Sequence, residues 1–285
     1  MSEAVLEPPS AEFVSHEAGR LTCALVVAPD AGFERATPIA GEGPPLAARA
    51  RAQHAVLVRT LKRQRVDVIE MTAEARFGMA TLVRAAGLAL PDGVVMARLA
   101  EPERRGEEEA VRGLLQERGV RVLGTVEGPG LFDARDAVVM GGRLIVTRSH
   151  WTNASAIEQL SAFAKRSSLE LCEATLAPGV AHLGDVFSPI DVRAALAVPQ
   201  LVGGAALEAI EILAVPPELS LAAASLALAP RRVVMDVRAA GARAILKQAR
   251  VAVEAIDLYD FGRAGAGPSA LVLPLRRAAL MPPRR

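Results

Sequence analysis

The chain has 285 residues, 51% of them hydrophobic and 23% charged, enough apolar material for one large domain or two ordinary ones. Its 33 lysines and arginines nearly cancel 32 acidic residues, for a formal net charge of +1, which gives no electrostatic basis for binding nucleic acid or an anionic membrane. The two cysteines and four histidines have no paired spacing, so neither a disulfide framework nor a metal site is expected, and no cofactor is implied.

The opening MSEAVLEPPS lacks the basic start and apolar run of a secretory leader. No apolar stretch approaches the roughly 20 residues of a membrane helix, so a cytoplasmic protein is expected. Residues 1–18 and 276–285 read as loose tails around a single domain, 19–275. The first strand is expected over Leu21 to Val27, with Cys23 inside it as a buried, reduced thiol. A helical run, Ala50 to Arg63, carries His54 on its surface or boundary, and a strand follows from Arg65 to Met71. Another strand is expected over Gly93 to Leu99.

The segment Arg105 to Gly119 has helical spacing. Glu107, Glu108 and Glu109 fall in its first turn, where the helix dipole favours acids, and Gly119 can end it. The glutamates and the pairs Arg104-Arg105 and Arg231-Arg232 read as solvated ends of elements. Strands then follow over Gly119 to Val126 and Ala137 to Val146. In the helix Asn153 to Lys165, Asn153 is the expected N-cap, with a stripe of Ile157, Leu160 and Ala164. Later strands are expected over Leu169 to Leu176, which contains Cys172, and over Leu207 to Val215. Three more follow: Ala222 to Leu228, Val251 to Leu258 and Ala270 to Leu275.

One pattern repeats through this order. A helix-like segment precedes a short strand, and successive copies start roughly 40 to 55 residues apart. Five strand–helix–strand units that cannot each bury a sheet face alone should close around a common axis, which predicts a five-module α/β propeller. A doubly wound two-domain fold is the alternative. It would need a glycine-rich phosphate loop after a strand, and Gly41, Gly43 and Gly203-Gly204 lack that setting.

Six short strings carry a resemblance. Leu82 to Gly93 (LVRAAGLALPDG) resembles a block reading FVEDTAVVLPDG, and Ala97-Arg98 with Arg104 to Glu107 resembles the pieces that follow it. LFDARDAV from Leu131 resembles TLDGGDVL, and SHWTN from Ser149 resembles S-x-RTN. AHLGD from Ala181 resembles LHLKS. YDFGRAGAGPSA from Tyr259 is similar to SEF-x-KADGGLTC. In family order, and spanning roughly residues 20 to 275, they resemble the dimethylarginine dimethylaminohydrolases of the pentein superfamily. That resemblance implies the five-module pentein propeller.

It also implies a chemistry. Such enzymes attack a guanidinium carbon with a cysteine thiolate and release an amine through a covalent intermediate, aided by a histidine and acids. The resemblance puts His182 at the histidine and Asp133 at the acid that orients it, with Asp136 beside them. Either aspartate could equally be a turn residue bonding its own backbone. Ala270 stands where the cysteine would be. Arg84-Ala85 replaces the Glu-Asp pair that holds the guanidinium, and Trp151 replaces an arginine for the substrate carboxylate, a charge that Arg98 could still supply. Two cations about 4 Å apart repel by roughly 4 kcal/mol at an effective dielectric of about 20, so Arg84 is expected to turn guanidinium ligands away. GAGPSA could also be a plain turn before the last strand.

The expected function is therefore that of an inactive relative, a pseudoenzyme that binds an anionic or neutral small molecule or a protein partner. One alternative is a hydrolase on another C–N substrate, with His182 and Asp133 as an acid/base pair. The other is a structural subunit, a homodimer or part of an assembly, which would need a large apolar surface patch.

Overall fold

The computed structural model describes residues 13–280. The first strand, β1 (Leu21–Ala28), is followed by helix α1 (Ala47–Arg63) and β2 (Asp67–Thr72). The next unit is β3 (Gly87–Leu90), β4 (Gly93–Met96), α2 (Glu107–Glu117) and β5 (Val122–Thr125). The third repeats it as β6 (Ala137–Met140), β7 (Arg143–Thr147), α3 (Ala154–Arg166) and β8 (Glu170–Leu176). The fourth has a short α4 (Leu183–Val186), then β9 (Phe187–Pro189), β10 (Ala194–Ala197), β11 (Val202–Gly203) and β12 (Glu211–Ala214). The fifth is β13 (Leu226–Ala229), β14 (Arg232–Asp236), α5 (Arg243–Gln248) and β15 (Ala252–Ile256). A last helix, α6 (Tyr259–Arg263), leads into β16 (Leu273–Arg277).

The strands form five small sheets: β16-β1-β2, β3-β4-β5, β6-β7-β8-β11, β9-β10-β12 and β13-β14-β15. Each has the same build, an antiparallel pair, a hairpin in all but the first sheet, one strand of which pairs in parallel with the strand after the crossover. The first sheet is assembled from both ends of the chain, because β16 pairs antiparallel with β1. That pairing closes the five-module α/β propeller. The fourth unit departs from the pattern: a 3₁₀ turn at Ala205–Leu207 stands where the others have a helix, and β11 lies on the edge of the preceding sheet.

A helical turn precedes the first strand of each hairpin. Those at Val83–Ala86, Ala134–Asp136, Leu183–Val186 and Pro268–Leu271 pack on one another around the axis. They carry most of the residues singled out by the resemblance. Local chemistry explains the elements that support them. Gly141 and Gly142 both take positive φ, +61° and +73°, in the two-residue β6–β7 turn, a conformation costly for residues with a Cβ. Asn153 caps α3, its side chain accepting from Ala156 N, as its position predicts.

Several elements differ from expectation. The runs at 137–146, 207–215 and 222–228 shorten or split, and β3, β9, β10 and β14 are added. Four-residue strands buried on both faces, such as GLAL and AALA, carry no alternation to read. Arg104, Glu107 and Glu108 are buried rather than solvated, since Arg104 bonds Glu107 through Nε and Nη2. His54 lies inside the α1 interface, 3% exposed. The tails are packed in part: Val14, His16 and Ala18 are buried, as is Arg277, while residues 1–12 and 281–285 lie outside the described residues. Among the described residues no helix is long and apolar enough to cross a membrane.

Candidate functional site

His182 is the residue just before α4, in extended backbone, with its amide donating to Asp185 Oδ2 at 3.2 Å. Its ring is buried, and Nδ1 donates to Asp136 Oδ1 at 3.0 Å. Asp136 is wholly buried at the end of the 134–136 turn, and its other oxygen accepts from Ser149 Oγ at 2.6 Å and Thr152 Oγ1 at 2.7 Å. Ser149 Oγ also accepts from the amides of Trp151 and Thr152, so one hydroxyl both fixes the acid and folds the SHWTN turn. This arrangement pins the imidazole and leaves Nε2 at the cleft, the requirement for a proton shuttle.

The acid that orients His182 is thus Asp136. Asp133, given that role by the resemblance, stands 4.0 Å from Nε2 and has another partner. Arg135 Nε and Nη2 straddle its carboxylate at 3.0 and 2.7 Å, and the Arg135 amide also donates to it at 2.9 Å. Arg104 Nη1 lies 3.7 Å away. Burial alone would raise the Asp133 pKa; the contacts with Arg135, His182 and Arg104 outweigh it and hold the carboxyl well below the usual carboxylate range. Asp133 also makes the local turn bond that the sequence left open, whereas the Asp136 carboxylate bonds no nearby backbone among the described residues.

Trp151 packs on the imidazole, ring centroids 4.6 Å apart, and edge-on against His150 at 5.3 Å. Together Trp151 and His182 wall a cleft of about 460 Å³. Ile39, Met79, Arg35, Arg76, Glu101 and Glu103 line it as well, with Ala264 and Gly265 of the last loop. Arg35 donates to the carbonyl of Ala75, and Arg76 pairs with Glu74 at 2.9 Å. Glu101 Oε2 is buried with no hydrogen-bond donor among the described residues.

The other residues named from the sequence lie elsewhere. Ala270 is 2% exposed in the 268–271 turn and faces a second, smaller cavity on the propeller axis, along with Arg84. Arg135 and Asp185 line both spaces and form the wall between them. Arg84 is no free cation, because its Nη2 is bound to Glu17 Oε1 at 2.6 Å and to Ala137 O at 2.9 Å. Ala85 is core. Arg98 donates to Gly130 O at 3.1 Å and belongs to a separate surface hollow with Glu108, Glu109 and Arg112. Neither Arg84, expected to turn guanidinium ligands away, nor Arg98, expected to supply a charge for a carboxylate, lines the His182 cleft. Its guanidinium groups come from Arg35, Arg76, Arg104 and Arg135.

Neither cysteine lines the cleft. Cys23 is half-buried on β1, where burial, helped by Asp67, pushes its thiol up to about 11. A thiol of that pKa is almost wholly protonated, and so a poor nucleophile, at neutral pH. Cys172 sits on β8, packed against the core of the fourth and fifth units. Sequence reasoning passed over Ser149, Thr152 and Arg135. The hydroxyls were legible in the SHWTN string, and Arg135 stands where the similar string has a glycine.

Comparison with known proteins agrees with this architecture. No protein-family model matches the chain. A dimethylarginine dimethylaminohydrolase of Pseudomonas aeruginosa is 24% identical over 231 residues, 81% of this chain and 90% of the relative. A solved structure of that hydrolase, a mutant complexed with citrulline, superposes with a TM-score of 0.82 at 23% identity, covering 89% of this chain and 99% of the other. An amidinotransferase of saxitoxin biosynthesis from Microseira wollei superposes with a TM-score of 0.81 at 18% identity, covering 94% and 98%.

Proposed function

From the pentein fold that this chain shares with those enzymes, we propose that it binds a small neutral or anionic molecule over Trp151 and His182 and does not hydrolyse guanidinium compounds through cysteine. One observation carries the reading: the Arg135 guanidinium is already seated on Asp133 beside His182. A carboxylate next to the imidazole is what a guanidinium ligand would seek, and here the chain supplies that ligand itself. The thiol is missing as well, with Ala270 at the position the resemblance gives to the nucleophile and both cysteines away from the cleft. The one tryptophan of the chain stands in the wall, so its fluorescence reports occupancy directly. Titration with benzoate and with agmatine should quench Trp151 for the anion and leave it unchanged for the cation. Saturable binding of agmatine with none of benzoate would refute the reading.

A second reading is favoured by the His182–Asp136 pair. A pinned imidazole with Nε2 at a cleft is the machinery for activating water against another C–N bond, with Asp136 in the place first given to Asp133. Conversion of a non-guanidinium amide that disappears in both His182→Ala and Asp136→Asn would establish it.

A further inference from the structure

The cavity on the propeller axis differs in chemistry from the cleft. It offers about 40 Å³ to the centre of a water-sized sphere, room for roughly three small occupants. Every module contributes to its wall, through Arg84, Arg135, Ser188, Ser225, Ser269 and Arg277 among others. The Arg135 side chain is committed to Asp133, and Asp185 accepts from the His182 amide. Besides Asp185, whose carboxyl burial pushes above the usual range and so towards the neutral form, the remaining charges are two guanidinium groups, Arg84 and Arg277, and the Glu17 carboxylate, which Arg84 holds.

Arg277 is left over. It is 2% exposed. Its Nη1 donates to Gly19 O at 2.7 Å and Ala227 O at 2.8 Å, and its Nε has no acceptor among the described residues. Burial pushes the guanidinium down to about 10, with Glu17 opposing the shift and Arg84 adding to it, so the group is still a cation at neutral pH. His16 does not compensate, being a neutral imidazole that accepts from Ala18 N through Nδ1 and donates to Val192 O through Nε2. Two buried guanidinium groups, Arg84 and Arg277, thus share the one Glu17 carboxylate, and beside a cavity with room to spare the pair is short of one counter-ion.

We infer that the axial cavity is a binding site for one small monovalent inorganic anion of halide size, held by Arg277 together with the one hydroxyl proton that the Ser188–Ser225 pair leaves uncommitted. The confined volume favours a small anion over a bulky organic acid, and the Glu17 carboxylate on the same wall opposes a dianion such as sulfate.

Crystals grown in sodium bromide test this directly. An anomalous bromide peak in the axial cavity within bonding distance of Arg277 is expected, and a cavity holding water alone would overturn the inference. In solution, chloride or bromide should raise the melting temperature by about 3 °C over gluconate at equal ionic strength, as occupancy at ten times the dissociation constant predicts. Arg277→Met should abolish that difference. A halide effect of the same size in the variant would place the anion elsewhere and count against the site. If the variant does not fold, the bromide peak in the unaltered protein decides.

Discussion

The cleft and the axial cavity share a wall, Arg135 and Asp185, yet they solve the same electrostatic problem differently. On the cleft side each buried guanidinium meets a carboxylate, Arg135 on Asp133 and Arg104 on Glu107. On the axial side Arg84 is bonded to Glu17, while Arg277 hydrogen-bonds carbonyl oxygens and has only the through-space attraction of that same carboxylate. His54, a third buried group, has no hydrogen-bond partner for Nε2 among the described residues, and burial pushes its pKa down to about 4. Pairing, carbonyl solvation and loss of the proton are three ways to hold an ionisable group inside a fold. They predict different responses to mutation, pH and salt.

The largest effect is expected from breaking the tightest pair. Arg135→Ala strands the Asp133 carboxylate and should cost about 3–5 kcal/mol of unfolding free energy, while Asp133→Asn combined with Arg135→Met should recover most of it. Urea denaturation of both variants measures this. A near-neutral single variant would mean that the pair is open to water. The neutral solution comes next. His54 binds a proton more weakly in the folded chain than in the unfolded one, so protonation favours unfolding. Stability should fall as pH drops from about 6.5 towards 4, by up to roughly 3 kcal/mol. Burial also lowers the His16 pKa, so it acts in the same direction, and His54→Leu should flatten the slope in part. An unchanged slope would show that His54 is exposed.

A smaller effect sharpens the axial side. Glu17→Gln leaves Arg84 and Arg277 both without a carboxylate, and should cost about 1.5–3 kcal/mol in gluconate and less in chloride. Equal losses in the two salts would argue that the anion does not answer to these charges. The smallest concerns the cleft wall. Trp151→Ala should weaken benzoate binding by roughly 2- to 12-fold, the value of one aromatic contact, as read by calorimetry. An unchanged affinity would move the ligand away from that wall.

Much of this was legible in the sequence, for physical reasons that can be named. The five-fold repeat was visible because amphipathic helices such as α3 have one face in the core and one out, and because the apolar runs of β1 and β8 are long enough to read as strands. Strands β3 and β10 were not, being buried on both faces. The cleft pair was half legible: His182 was located, but two aspartates three residues apart cannot be assigned until the turn shows which one faces the ring. Arg84 was misread because a cation in a motif says nothing of its partner, and Glu17 lies 67 positions away in the chain. Arg104 and Glu107 were taken as solvated because a buried ion pair and an exposed one have the same composition.

The central claim is that this propeller does not carry out cysteine-dependent guanidinium hydrolysis. Purified protein incubated with dimethylarginine, arginine and agmatine, and assayed for released amine or ammonia and for a ureido product, tests it most directly. No product above the blank is expected. Turnover that His182→Ala abolishes would contradict the account.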